Sequence, residues 1–407
     1  MLRHRLESTT IALFVLFSTG AMAVAAEPVS NAVEADLRSV ARSNNEFAVA
    51  LYETLRTEED AENLFFSPAS ISTALAMTYA GARTRTAAQI RQTLRWALED
   101  DDLHAAMERF SGTLSAADGG HALSLANALW GQSGEEFLDE FLALNRHHYG
   151  AAFREVDFSS APEDARATIN DWAERNTNDR INELLVPGDV TPATALVLTN
   201  AIHFKGTWKY RFDIDETREA SFRNADGRDV AADMMWSRGG TFRFLAGDGF
   251  QALALPYAGD RASMVVLLPD PQSDLAGLEQ RLTAENIEDW LSQMRPTEMG
   301  TVTLPRFELT CRLELAETLR EMGMPLAFSA QADFSGITTT RPLSIDNVIH
   351  KAFVQVNEEG TEAAAATAVK MKRGPVLDSF RADRPFIYLI QDHATGAILF
   401  MGRLVDL

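Results

Sequence analysis

The stretch that most narrows what this chain can fold into is "TEAAAATAVKMK", residues 361–372. At helical spacing its lysines and Met371 do not segregate. At period two they do: Thr361, Ala363, Ala365, Thr367, Val369 and Met371 fall on one side, and Glu362, Ala364, Ala366, Ala368, Lys370 and Lys372 on the other. That pattern describes a strand with one buried face of small to medium side chains. Yet alanine is a poor strand former, and the stretch runs unbroken into the basic, protease-accessible segment Lys370-Met371-Lys372-Arg373-Gly374-Pro375. It suits a central strand without being committed to one. Taken alone, the residues leave an Ala-rich helix or linker equally open.

A chain of 407 residues, 46% hydrophobic, can bury a large core. Length alone suggests two or three domains, since single cores stop growing at roughly 250–300 residues. No Pro/Ser-rich tract, long like-charge block or solenoid-period repeat offers a boundary, so one domain over 27–407 is expected. Residues 1–26 read differently. Arg3, His4 and Arg5 precede the apolar run "IALFVLFSTGAMAVAA", with small residues at Ala21, Ala23, Ala25 and Ala26. This is the pattern of a secretory signal peptide cleaved after Ala25 or Ala26, which predicts a secreted or periplasmic protein. The rival, an uncleaved anchor, needs a run of about 20 apolar residues.

Cys311 is the single cysteine, so no internal disulfide forms, and a small buried role is expected of it. The net charge of −21 argues against nucleic acid or an anionic membrane as partner.

Apolar spacing predicts a helix over 32–57, and a second, apolar nearly all round, within "NLFFSPASISTALAMTYAGA". In the second, Ser67 caps, Pro68 takes the first position, and Gly81 is expected in the left-handed conformation after the end. Further helical patterns lie near 86–97, 102–115, 136–147, 163–184, 284–294 and 313–322. Strands are predicted at "ALSLANALW", at "TALVLTNAIHF" (covered on both faces), and in succession over 218–270 with turns at Asp226-Gly227 and Gly259-Asp260. The end of the chain, "HKAFVQV", "RPFIYLI" and "AILFMGRLV", is again strand. Helices first and strands later indicate an α+β fold.

No enzyme constellation appears. There is no G-x-S-x-G elbow, no H-E-x-x-H, no P-loop and no G-x-G-x-x-G. His147 and His148 are adjacent, so a helix points them about 100° apart, as solvated residues that do not share a metal. No catalytic residue, cofactor or metal is expected.

The blocks "NLFFSPASISTALAM", "LTNAIHFKGTW", "LPRFELT", "ADFSGI", "SIDNVIHKAFVQVNEEGTEAAAAT" and "ADRPFIYLIQDHATGAILFMGRL" resemble, in content and in order, those of the serpin (serine protease inhibitor) family. The likeness covers about residues 32–407 and points to an inhibitory, secreted member of bacterial style. It implies helices packed on a large, mainly antiparallel central sheet, two smaller sheets, and an exposed reactive-centre loop over about 358–380. It also implies a suicide substrate, in which a serine protease attacks the loop and the freed segment from Gly360 onward inserts beside "AFVQV". The protease is then trapped as a 1:1 covalent acyl-enzyme on a monomeric inhibitor.

The same resemblance assigns residues. Gly360, Thr361, Glu362, Ala363, Ala364, Ala365, Ala366 and Thr367, after Glu358, match the hinge. Ser67, Ser70, Asn200 and His350 match the polar cluster where the sheet opens, and Trp208, Arg306 and Glu358 match the top of that opening. Family spacing places the acyl residue at Gly374, but Pro375 follows it and proteases rarely cut before proline. Arg373-Gly374 is the chemically sensible bond, with Lys372 and Met371 as alternatives. A basic residue there suits a trypsin-like protease; the basic run also suits a subtilisin-like processing protease. A non-inhibitory carrier, storage protein or chaperone is the competing class. The helix near 97–109, "ALEDDDLHAAMER", is acidic, which argues against activation by a sulfated polysaccharide.

Overall fold

The computed structural model describes residues 31–58, 62–115, 121–150, 152–361 and 378–407. The expected signal peptide, the hinge from Glu362 to Thr367 and the basic segment 370–375 lie outside the described residues. The helices are α1 (Asn31–Glu58), α2 (Pro68–Tyr79), α3 (Thr84–Thr93), α4 (Asp100–Ser115), α5 (Asp139–Tyr149), α6 (Pro162–Asn176), α7 (Leu275–Glu279), α8 (Ala284–Gln293) and α9 (Ala316–Glu321). The strands begin with β1 (Leu64–Phe66), β2 (His121–Gln132), β3 (Ala152–Val156), β4 (Leu196–Thr207), β5 (Asp213–Arg223) and β6 (Asp229–Arg238). They continue with β7 (Thr241–Ala246), β8 (Phe250–Pro256), β9 (Ala262–Pro269), β10 (Arg295–Pro305) and β11 (Phe307–Glu314). The last are β12 (Val348–Asn357), β13 (Gly360–Thr361), β14 (Asp378–Arg381), β15 (Phe386–Asp392) and β16 (Ile398–Leu404).

One sheet runs β11-β12-β4-β2-β3, with the two residues of β13 lodged between β12 and β4 at one end. The pairings β11–β12 and β2–β4 are antiparallel, whereas β12–β4 and β2–β3 are parallel. β13, seated between the parallel strands β12 and β4, is antiparallel to both. The remaining strands run β1-β16-β15-β9-β8-β7-β10-β6-β5, with β14 alongside β10. The first half of β10 pairs β7 and the second half pairs β6 and β14, so this long strand joins two smaller sheets.

Buried apolar runs explain the interior strands: every residue of β9 and β16 is buried, as strands covered on both faces require. The helix α2 is buried along its whole length, with the Ser67 hydroxyl accepting from Ser70 N and Pro68 at the first position. It packs into the main core with α1, β15 and β16. A second core forms where α6 and residues 181–190 cover one face of β2, β4 and β12, through Trp130, Ile169, Trp172, Leu184, Ala201, Ile349 and Phe353.

Several expectations need correction. Gly81 is not left-handed; Ala80 closes α2 in the right-handed region. Gly81 is glycine because a Cβ there would strike Ile337 Cγ1. The pattern over 163–184 ends as helix at Asn176, because Asn178, Asp179 and Glu183 take positive φ and turn the chain across the sheet. Residues 313–314 belong to β11 and α9 starts at Ala316. Cys311 is half-buried on β11 rather than fully buried. At Gly259-Asp260 both residues have positive φ (86° and 56°), as a tight two-residue hairpin turn demands.

Candidate functional site

The site lies along the β12–β4 seam. From Val348↔Leu198 to Phe353↔His203 the two strands pair directly in parallel. Beyond that they part. The chain reverses at Glu358-Glu359, where the Asn357 side chain accepts from the N–H groups of Glu359 (3.1 Å) and Gly360 (3.2 Å). Gly360 and Thr361 then pair with Asn357 and Val356 on one side and with Thr207 and Gly206 on the other. The first two hinge residues are therefore inside the sheet, not outside it awaiting cleavage as the family resemblance implied. Two glycines permit this. Gly360 has φ 153°, and a Cβ on it would meet the Gly206 carbonyl oxygen and come within 2.7 Å of Thr207 Cα; a Cβ on Gly206 would come within 2.6 Å of the Tyr257 ring.

The opened end is held by polar contacts. Glu358 is 5% exposed and accepts from the Thr217 hydroxyl (2.6 Å) and from the Arg306 guanidinium. Burial pushes its carboxyl up, but those two donors outweigh it and hold the group below the usual carboxylate range. Arg306 also reaches Asp233 at 3.4 Å. Trp208 donates from its indole to Asn357 O and from its backbone to Glu359 O, both at 2.9 Å. Its ring stacks on Tyr257 at 4.7 Å and 10°. The structure thus brings Trp208, Arg306 and Glu358 to one place, together with Thr217 and Asn357, which sequence reading missed. Nothing in a single Thr or Asn marks it as a partner before the chain is folded.

At the middle of the seam, His350 and Asn200 are directly opposite. His350 Nε2 accepts from Ser67 N (3.1 Å), which fixes Nδ1 as the protonated nitrogen, donating to Asn200 Oδ1 at 2.6 Å. The Asn200 amide donates to the Ser70 hydroxyl and to Asn127 Oδ1 (2.6 Å). Ser67 Oγ donates to Leu399 O (2.7 Å). Ser67, Ser70, Asn200 and His350 therefore form one buried chain of hydrogen bonds from β16 through α2 to the seam. Asn127 on β2 extends it and was not singled out from the sequence, although a carboxamide inside "ALSLANALW" was the available signal. Burial drives the His350 pKa down to about 3, so the ring is neutral.

The lower seam is strapped. Lys351 on β12 donates to the carbonyls of Asn182 (2.7 Å) and Glu183 (3.1 Å), in the segment that follows α6. Arg312 on β11 donates to Leu184 O (3.3 Å) and pairs with Asp189 at 2.6 Å. Nothing in this arrangement presents a nucleophile with a base. It is a parallel seam with a short third strand, β13, seated at its end.

A family model described as "Serpin (serine protease inhibitor)" matches residues 42–407. The chain belongs to the serpin family. Leukocyte elastase inhibitor from Bos taurus is 40% identical over 90% of this chain and 99% of its own. Among solved structures, uncleaved ovalbumin superposes with a TM-score of 0.84 at 32% identity, covering 90% of this chain and all of its own. Human thyroxine-binding globulin complexed with its hormone gives 0.84 at 29% identity, covering 91% and 99%. The serpin fold expected from the sequence is the one observed, and the family is one of protease inhibitors rather than catalysts. In this serpin, β12 and β4 flank the seam, and residues 362–377 connect β13 within it to β14 on the other sheet.

Proposed function

We propose that this serpin inhibits a trypsin-like serine protease as a suicide substrate cut at Arg373-Gly374, and that it acts after export across a membrane. The observation that carries the reading is the pairing of Gly360 and Thr361 on both sides, between strands that below them have only a single parallel ladder to each other. Each further residue inserted exchanges one parallel pairing for two antiparallel ones, and parallel pairing is slightly the weaker. At about 0.5–1.5 kcal/mol net per new hydrogen bond, some ten residues supply on the order of 10 kcal/mol, comparable with a domain's whole stability.

In this reading the protease serine attacks the Arg373 carbonyl, Gly374 leaves as a free amine, and an ester joins inhibitor and protease. Insertion of Glu362, Ala363, Ala364, Ala365, Ala366 and Thr367 drags the ester-linked protease along the sheet. Small inward side chains at Ala363, Ala365 and Thr367 fit a close-packed interior. Distortion of the protease's oxyanion hole then stalls hydrolysis, since loss of one hole donor costs roughly 10²–10³ in rate. The bovine relative is named for elastase; the basic residues Lys370, Lys372 and Arg373 favour instead a specificity pocket that holds an aspartate.

The test is incubation of the mature protein with trypsin, followed by boiling in detergent and electrophoresis. A 1:1 complex that survives supports the proposal, and mass spectrometry of the released peptide assigns the bond. Clean loop cleavage without a complex would support a non-inhibitory serpin instead.

A further inference from the structure

Away from the seam, α4 and α5 pack side by side and bring three metal-type donors together. One ligand atom each from Glu108 on α4 and from His147 and His148 in the last turn of α5 lie within 4.8 Å of one another. His148 Nδ1 is 2.9 Å from Glu108 Oε2, and the two imidazole rings are 4.5 Å apart. Adjacent positions on a helix point about 100° apart, yet the donor atoms of these two side chains lie close together. That angle describes Cβ directions, whereas the imidazole nitrogens sit several bonds further out and the third donor comes from a different helix.

The ring of His148 is not free to wander. His104, one helical turn before Glu108 and therefore on the same face of α4, is buried and lies 6.1 Å away at 24°. His104 is itself held by the Tyr149 hydroxyl, 2.5 Å from its Nδ1. Glu108 and His147 are exposed, so both can rotate onto a shared ion.

We propose that Glu108, His147 and His148 form a binding site for a divalent transition-metal cation of the zinc class. Two imidazole nitrogens and one carboxylate oxygen suit zinc and its neighbours rather than magnesium or calcium, which take oxygen donors. Three protein ligands leave the fourth tetrahedral position to water. Tetrahedral zinc, with bonds of about 2.0–2.2 Å, sets its ligand atoms about 3.3–3.6 Å apart, a small rotation from their present spacing. A cation here ties α4, which contacts β2, to α5, which contacts β3, so that the two helices shift as a unit.

The experiment uses the untagged full chain, stripped with a chelator and titrated with zinc chloride in a calorimeter at pH 7.5. The expected result is one site with a Kd of roughly 1–10 μM, weakened about tenfold or more by H147A/H148A and by E108Q. Zinc should also raise the unfolding midpoint of the parent chain and not that of the double variant. Circular dichroism checks that the variants fold, which their surface positions favour. The absence of a saturable 1:1 site overturns the proposal. So does a site whose affinity the substitutions leave unchanged, or one that binds magnesium equally well. None of these readouts depends on protease inhibition.

Discussion

The hydroxyls of Tyr257 and Thr361 meet at 2.9 Å in a fully buried position. Tyr257 is stacked on Trp208, which is bonded to the turn that starts the hinge, so one hydroxyl pair ties the first inserted side chain to the rigid end of the seam. Removing the phenolic hydroxyl leaves the Thr361 hydroxyl buried without that partner, a cost of about 1–3 kcal/mol that loosens the inserted hinge. Tyr257→Phe should therefore speed amide exchange of the peptide containing Gly360 and Thr361 by about fivefold or more. Hydrogen–deuterium exchange with mass spectrometry measures this, and unchanged protection would show that the hydroxyl pair holds nothing.

Thr361 occupies a site with 1% exposure. An arginine there would have to bury an unpaired guanidinium, at an effective cost of several kcal/mol. Thr361→Arg is expected to be cut by trypsin at the same bond as the parent while the detergent-stable complex falls by tenfold or more. Retention of the complex at parental yield would mean that insertion does not pass through this position.

His350 ties stability to pH. Its ring takes up a proton near 6.5 when unfolded and near 3 when folded, because burial disfavours the charged form. Between those values the unfolded state binds more protons, so stability is lost as pH falls from about 6.5 towards 3, by ~5 kcal/mol at most from this residue. His104, held near 4 by burial and then by the neighbouring His148, works in the same direction. Urea midpoints measured from pH 7 to pH 4 should fall steadily, and His350→Gln should flatten the slope. Equal slopes in parent and variant would rule His350 out as the source.

Insertion of the rest of the hinge should release a state of lower free energy. A chain nicked within 370–375 by a protease that it does not trap is expected to melt tens of degrees above the intact chain, whose persistence is kinetic. Differential scanning calorimetry of intact and nicked protein decides this; coincident transitions would contradict the proposed mechanism.

Much of this was legible in the residues themselves. Ser67-Pro68 announced the start of α2, an unbroken apolar run announced β4, the closing stretch "AILFMGRLV" read as the strand that became β16, and Asp226-Gly227 and Gly259-Asp260 marked turns, because these signals depend on local sterics and on which residues water excludes. The period-two alternation from Thr361 onward, with Gly360 before it, indicated a segment able to join a sheet, and the quoted blocks named the family. What the chain could not reveal locally was which groups lie opposite one another across the fold. Asn127 facing Asn200, Thr217 reaching Glu358, Tyr257 meeting Thr361 and Glu108 meeting two histidines each join residues distant in sequence, so only strand register and helix packing decided them. The same holds for the depth of the hinge. The alternation marked Thr361, and the family resemblance marked Gly360, as able to enter the sheet, but that they already sit between β12 and β4 follows from two bare glycine backbones passing where no side chain fits, a matter of tertiary contact alone.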